Sequence, residues 1–324
     1  MEIIKERFSA PSCDGKHTLS GVVIRPRSEE IKGYYQIVHG MTEHIARYER
    51  IMTDLAMEGW LCFGHDHLGH GGTVDNDSEL GDIGSAEIND GIDTVILEGW
   101  ELLVQDVRVF FNAVFERYSG AYGEDKPYVL MGHSMGSFIV REAAVETVCP
   151  DKLIIMGTGG SNPAAGAGLA IIGLIKAIKG EKHISPLVEK LAFGSYNKRF
   201  GGGTPEDPSP WLTRDEDERK RYYADKYCTF KFTVSAMGDL IKVMKRVNSP
   251  GWYDSLSTSV PILLLSGEED PVGNYGRGVK EVEAKLLEQG INVSSILYPE
   301  ARHEILNDST YEDVKRDILE FCRV

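Results

Sequence analysis

Short aliphatic and β-branched runs recur along the chain, separated by longer amphipathic stretches. The runs at 17–26, 34–40, 60–66, 127–133, 152–158, 260–267 and 292–299 are apolar enough to be sheet strands, several of them covered on both faces. Their alternation with helical stretches predicts an α/β fold: a mostly parallel central sheet with helices on both faces. After GHSMG (132–136), Met135, Phe138, Ile139 and Ala143 fall at i, i+3, i+4 and i+8. A helix is therefore expected to begin at or just after Ser134.

The rhythm breaks between 159 and 251. This stretch opens with GGSNPAAGAG, contains GGGTPEDPSP (201–210) and RDEDERKR (214–221), and closes with NSPG. Its periodic parts, 184–196 and 233–247, read as helices, so 159–251 is expected to be a helical insertion in a core made of 1–158 and 252–324. The charge run is expected on a solvated helix face. The apolar stretch GLAIIGLIKAI (168–178) fits two readings, a helix packed on the core or a wall for an acyl chain or lipid surface. It is too short, and broken by Lys176, to span a membrane.

Composition narrows the function classes. The 324 residues carry 50 acidic against 35 basic side chains, a formal net charge of −15, which repels nucleic-acid backbones and anionic membranes at long range. No nucleic-acid partner is expected. The five cysteines are scattered and form no CxxC pair, which suits reduced thiols. The opening MEIIKERFSAPSCDGK has no apolar segment followed by a small-residue cleavage site, so no secretion signal is expected and the cytoplasm is the expected location.

The candidate chemistry centres on GHSMG. A serine hydroxyl attacks poorly unless a base takes its proton and a carboxylate holds that base in the right tautomer. With Ser134 on a strand-turn-helix elbow, the partners are expected later in the chain, in the order carboxylate, histidine. Two histidines follow Ser134. His183 lies inside the insertion, whereas His303 follows the run at 292–299, where catalytic loops of open α/β sheets gather. His303 is the expected base. Asp270 is the expected carboxylate, held in the turn before Pro271, with Glu268 and Glu269 as alternatives. Oxyanion donors are expected from the main-chain amides of Met135, after the nucleophile, and Met41, after the strand that ends at His39-Gly40.

A competing metal reading rests on HDHLGH (65–70). It breaks at Gly69, where a metal-binding Asp is required, and no later ligand set completes it. No metal or cofactor is expected. Asp66 and His70 are expected to brace the loop beside the site by hydrogen bonds.

The stretch HGMTEHIARYERIMTDLAMEGWLCFGHDHLGHG, followed in order by GHSMGS, LSGEEDPVG and ARHEIL, resembles the monoacylglycerol lipase and lysophospholipase branch of the α/β-hydrolases, also called serine aminopeptidase-like. The resemblance runs through nearly the whole chain and reaches into the insertion at FGSYNKRF and WLTRDEDERKRYYADKY. It implies an α/β-hydrolase fold with a helical cap, Ser134, Asp270 and His303 as the triad, and the Met41 and Met135 amides as oxyanion donors. It also implies a carboxylester hydrolase for monoacylglycerol or lysophospholipid-like substrates, in at most transient contact with a membrane or micelle through the cap. Met41 and Ser137 stand where relatives often have smaller residues; both bear on the pocket, and neither removes a catalytic group. The alternatives are a small-molecule carboxylesterase, an aminopeptidase of the proline-iminopeptidase type, and a non-catalytic binding protein, which the complete triad opposes.

Overall fold

The computed structural model describes residues 2–28, 30–89 and 94–323. The chain opens with an antiparallel pair, β1 (Ile3–Pro11) and β2 (Thr18–Pro26), then runs β3 (Gly33–Val38), α1 (Glu49–Met57) and β4 (Trp60–His65). A two-stranded hairpin, β5 (Ala86–Asn89) and β6 (Thr94–Leu97), precedes α2 (Gly99–Tyr122), β7 (Tyr128–His133), α3 (Met135–Glu146) and β8 (Lys152–Met156). Five helices follow before the next strand: α4 (Ala165–Lys179), α5 (Pro186–Phe193), α6 (Glu216–Ala224), α7 (Val234–Val247) and α8 (Pro250–Ser255). The chain closes with β9 (Ile262–Gly267), α9 (Arg277–Glu288), β10 (Val293–Tyr298) and α10 (Tyr311–Arg323).

The eight-stranded sheet has the order β1-β2-β4-β3-β7-β8-β9-β10. Strands β4, β3, β7, β8, β9 and β10 run parallel, and the antiparallel β1 and β2 finish one edge. The apolar runs are continuous because both sheet faces are covered. Leu130, Leu153 and Ile155 point to a core shared with α2, α3 and α9, while Val129, Met131, Ile154 and Met156 point to a second core under α1 and α10. Each buried aliphatic side chain of this kind contributes about 1.5–3 kcal/mol.

Two strand elements escape the sequence pattern. β1 is an edge strand carrying Lys5, Glu6 and Arg7 on a half-exposed ribbon, so no apolar run marks it. The β5–β6 hairpin is short, and Val95 and Ile96 on it are exposed. Between β8 and β9 there is no strand among the described residues. Most of the charge run lies on the expected solvated face, with Arg214, Asp215, Glu216, Asp217, Lys220 and Arg221 exposed; the exceptions are Arg219 on α6, buried and bound to Asp207, and Glu218, which turns inward to Arg47. The apolar stretch forms α4, which packs on α7 and buries only Ile172; Leu174 and Ile178 stay 63% and 68% exposed. No helix of the described residues is long and apolar enough to cross a membrane.

Candidate active site

Parallel strands carry their successor loops to one sheet edge, so the residues after β3, β7, β9 and β10 meet. Ser134 sits between β7 and α3 with φ 54° and ψ −119°, a conformation that costs a non-glycine residue about 1–3 kcal/mol. The flanking glycines explain the motif. A Cβ on Gly132 would strike the main chain of Gly136, and one on Gly136 would strike the Val38 carbonyl of β3. The turn is held by the Ser134 amide donating to Met156 O at 3.0 Å and by the Ser137 hydroxyl donating to Ser134 O at 2.6 Å.

Asp270 and His303 come together below this elbow. Asp270 is fully buried in the turn after β9; its Oδ1 accepts the Val272 amide at 2.8 Å, and its Oδ2 faces His303 Nδ1 at 2.9 Å and Ser266 Oγ at 3.4 Å. Of the alternatives, Glu268 is exposed and Glu269 lies 3.5 Å from Arg302, so neither addresses the histidine. His303 Nε2 has no hydrogen-bond partner among the described residues, and Ser134 Oγ likewise forms none. His303 is covered by the stretch between β8 and β9: its amide meets Trp211 O, the Glu304 amide donates to Leu212 O at 2.7 Å, and the Trp211 ring lies 5.1 Å from the imidazole.

The Gly40–Met41 peptide runs alongside the elbow. A Cβ on Gly40 would lie 3.0 Å from Ser134 Cβ, so only glycine allows this approach. The amides of Met41 and Met135 make no hydrogen bond within the described residues. Asp66 braces the same loop by accepting the Ile45 and Gly72 amides at 2.8 and 2.7 Å, and His70 Nε2 accepts the Thr42 amide at 3.4 Å.

A buried ionic group that the sequence pattern does not reveal lies under the site. Arg47 donates to Glu43 at 2.9 Å and to both oxygens of Glu304 at 2.8 and 2.6 Å, and reaches Glu218 of α6 at 3.1 Å. Its guanidinium also lies 4.9 Å from the Tyr222 ring, and Tyr222 hydrogen-bonds Thr42. Burial alone would raise the carboxyl of Glu304; Arg47 outweighs it and holds that group below its usual range. The signal is present in EHIARYER, but a charged run after a strand reads as a solvated helix start until the fold buries it.

Four buried histidines, His39, His65, His67 and His70, flank the loop. Burial pushes His65 down to about 3 and His70 to about 4, and burial with neighbouring histidines holds His39 and His67 well below the usual range. Burial also pushes Asp106 up to about 6 and Asp239 to about 7. Between pH 6 and 5 the unfolded chain binds protons at the four histidines that the folded state refuses, whereas the folded state keeps protons on the two aspartates that the unfolded chain has lost. The histidines dominate this balance, so the unfolded chain binds more protons than the folded one and stability is expected to fall as the pH drops through that window. Denaturation midpoints measured at pH 7, 6 and 5 check this; a flat or rising profile on acidification contradicts it.

Comparison with known proteins identifies the family. The family described as serine aminopeptidase, S33 matches residues 29–310. A monoglyceride lipase homolog of monkeypox virus is 22% identical over 286 residues, covering 87% of this chain and 85% of that protein. The monoglyceride lipase of Rattus norvegicus is 27% identical over 246 residues, covering 72% of this chain and 64% of that protein. Among solved structures, a thermostable carboxyl esterase from Bacillus coagulans superposes with a TM-score of 0.86 at 27% identity, covering 98% of both chains. The monoglyceride lipase of Saccharomyces cerevisiae shares the fold with a TM-score of 0.71 at 16% identity, covering 99% of this chain and 94% of that one. The chain belongs to the serine aminopeptidase S33 family and has the α/β-hydrolase fold.

Proposed function

We propose that the protein is a serine carboxylester hydrolase acting on monoacylglycerols or lysophospholipid-like esters. The observation that carries this reading is the buried Asp270–His303 pair at 2.9 Å, placed at the sheet edge where Ser134 stands on its strained elbow. Ser134 attacks the ester carbonyl as His303 takes its proton, and the oxyanion is received by the Met41 and Met135 amides. His303 returns the proton to the leaving alcohol. Water, activated by the same imidazole, then cleaves the acyl-enzyme. Asp270 holds Nδ1–H so that Nε2 presents its lone pair to the serine. No metal or cofactor enters the scheme.

In this reading 159–251 is a helical cap. Its outer side carries Leu174, Ile178, Leu187 and Leu191 exposed beside Lys176 and Lys179, which suits brief contact with a micelle or membrane carrying the substrate. The aminopeptidase reading needs cap carboxylates free to meet a substrate ammonium. Asp207 is bound to Arg219, Asp215 caps α6, Asp217 pairs with Lys220 and Glu218 with Arg47 and Arg221, so the cap offers few. All five cysteines are free thiols, which suits the reducing cytoplasm where we place the protein.

A small-molecule esterase is the second reading, favoured by the 27% identity to the Bacillus coagulans carboxyl esterase along the whole chain. Fatty-acid release from a monoacylglycerol, a lysophosphatidylcholine of equal chain length and a short soluble ester separates the two. The lipase reading expects the monoacylglycerol to be cleaved with a kcat/KM at least equal to that of the short ester. Cleavage of the short ester alone overturns it.

A further inference from the structure

The protons around His133 can be counted. His133 ends β7 beside Ser134, is buried, and lies with its ring 4.7 Å from that of His303. Its Nε2 is 3.2 Å from the main-chain oxygen of His303. A carbonyl oxygen only accepts, so Nε2 carries a proton. On the other side, Nδ1 is 2.8 Å from Tyr48 Oη and 3.3 Å from Glu43 Oε1. Glu43 also accepts the Gly40 amide at 2.5 Å and Arg47 at 2.9 Å, contacts that require its ionised form. Tyr48 has one proton, and Glu43 lies 2.7 Å from its oxygen, so that proton points to the carboxylate. What remains for Nδ1 is a lone pair on Tyr48 and a carboxylate oxygen, both acceptors. Nδ1 is therefore protonated as well.

The neighbouring histidines count differently. His39 donates from Nδ1 to Gly40 O and accepts the His67 amide at Nε2; His70 donates from Nδ1 to Leu68 O and accepts the Thr42 amide at Nε2. Each has one donor and one acceptor nitrogen, as a neutral imidazole must. His133 has two donors.

We propose that His133 is a standing imidazolium, doubly protonated throughout the pH range in which the protein works, and that it is a positioning residue for the nucleophile, base and oxyanion loops together. This rests on the serine-esterase reading for its catalytic consequence, though the protonation state itself does not. The groups facing His133 are Glu43 and Tyr48 from the stretch after β3 and His303 and Glu304 from the stretch after β10. Arg47 bridges the two carboxylates, Glu218 reaches Arg47 from α6, and Asp270 engages His303. Two cations, His133 and Arg47, balance Glu43 and Glu304, and Glu218 is balanced in turn by Arg221 at 2.7 Å, so the group is close to neutral. Burial opposes the charge on His133, but the Glu43 hydrogen bond and carboxylate outweigh it and hold the imidazole above the usual histidine range.

The pair joins three arms of the site. Glu43 holds the Gly40 amide and so the orientation of the next peptide, which carries Met41 N–H. The Nε2 proton holds the main chain of His303. The chain itself fixes Ser134 to His133. A neutral imidazole would have to release one of its two bonds.

Uniformly ¹⁵N-histidine-labelled protein, followed by NMR from pH 6 to 9, tests the protonation state directly, with His133→Gln identifying the resonances. The expected spectrum keeps both His133 nitrogens at imidazolium shifts at pH 8.5; a neutral-tautomer signature at pH 8 overturns the proposal. With a short soluble ester, His133→Gln and Glu43→Gln are each expected to lower kcat by about 10- to 100-fold with KM changed less than about threefold, because misplaced groups slow the chemistry more than binding. Their double variant is expected to be no worse than the poorer single one. A His133→Gln enzyme with kcat within twofold of wild type contradicts the positioning role. If that variant does not fold, the wild-type spectrum decides, with resonances assigned through the neighbouring His133–Ser134 amide correlations. Ser134→Ala separates the two readings: loss of turnover with the imidazolium signal intact supports both, and retained turnover removes the serine mechanism while leaving the spectrum to judge His133.

Discussion

Ser134→Ala is expected to lower kcat for a short soluble ester by about 10,000-fold or more, with KM changed only a few-fold. In the proposed mechanism, removing Oγ deletes the bond-forming atom while the Met41 and Met135 amides and the covering stretch remain to bind substrate. The fold is expected to survive. The elbow is held by bonds from Ser134 N to Met156 O and from the Ser137 hydroxyl to Ser134 O, none of which uses the side chain being removed. Alanine also accepts the same φ of 54° at a similar conformational cost. A thermal midpoint within about 3 °C of wild type establishes that lost activity is lost chemistry. Residual kcat above about 1% of wild type would remove Ser134 from the nucleophile role.

Asp270→Asn is expected to cost about 10,000-fold in kcat. The reason lies in which oxygen does what. Oδ1 accepts the Val272 amide at 2.8 Å, so an asparagine keeps its carbonyl oxygen there and turns its NH₂ toward His303 Nδ1, where Oδ2 now sits at 2.9 Å. Two donors cannot face each other, so Nδ1 must present a lone pair and the imidazole proton moves to Nε2. That tautomer has no lone pair to offer Ser134. The substitution is isosteric and retains the Val272 contact, so stability is expected to change little. Steady-state kinetics together with a thermal melt check both halves; an Asp270→Asn enzyme within tenfold of wild type would mean that another carboxylate orients His303.

Much of this arrangement is legible in the amino-acid sequence, and the boundary of legibility is physical. Strands such as β7 and β9 are visible because burial on both faces makes them continuous apolar runs, and the α3 start is visible because helical periodicity resumes immediately after Ser134. Asp270 and His303 stand out by their order along the chain and by their places after strands, features that depend on local sequence. The β1 edge strand lacks that signal because it is a half-exposed ribbon, whereas β6 carries the short apolar run TVIL, which is only four residues long and lies outside the main sheet. The Arg47–Glu43–Glu304 group is illegible for a different reason. Its members lie at positions 43, 47 and 304, and only the adjacency of β3, β7 and the loop after β10 turns surface-looking charges into a buried network. The charge state of His133 requires knowing the partners of both its nitrogens, which no local pattern contains. Arg219 and Glu218 show the same limit within RDEDERKR, where the dense mixed charge suggests solvent and the fold supplies Asp207 and Arg47 instead.

The most direct test of the central claim is covalent labelling with a fluorophosphonate, read by intact mass and then by peptide mapping. A serine activated by His303 and Asp270 is expected to take up one phosphonyl group, located on the peptide containing Ser134, with esterase activity falling in proportion and no uptake by Ser134→Ala. Folded wild-type protein that remains unlabelled, or an adduct on another residue that accounts for the loss of activity, would contradict the serine mechanism.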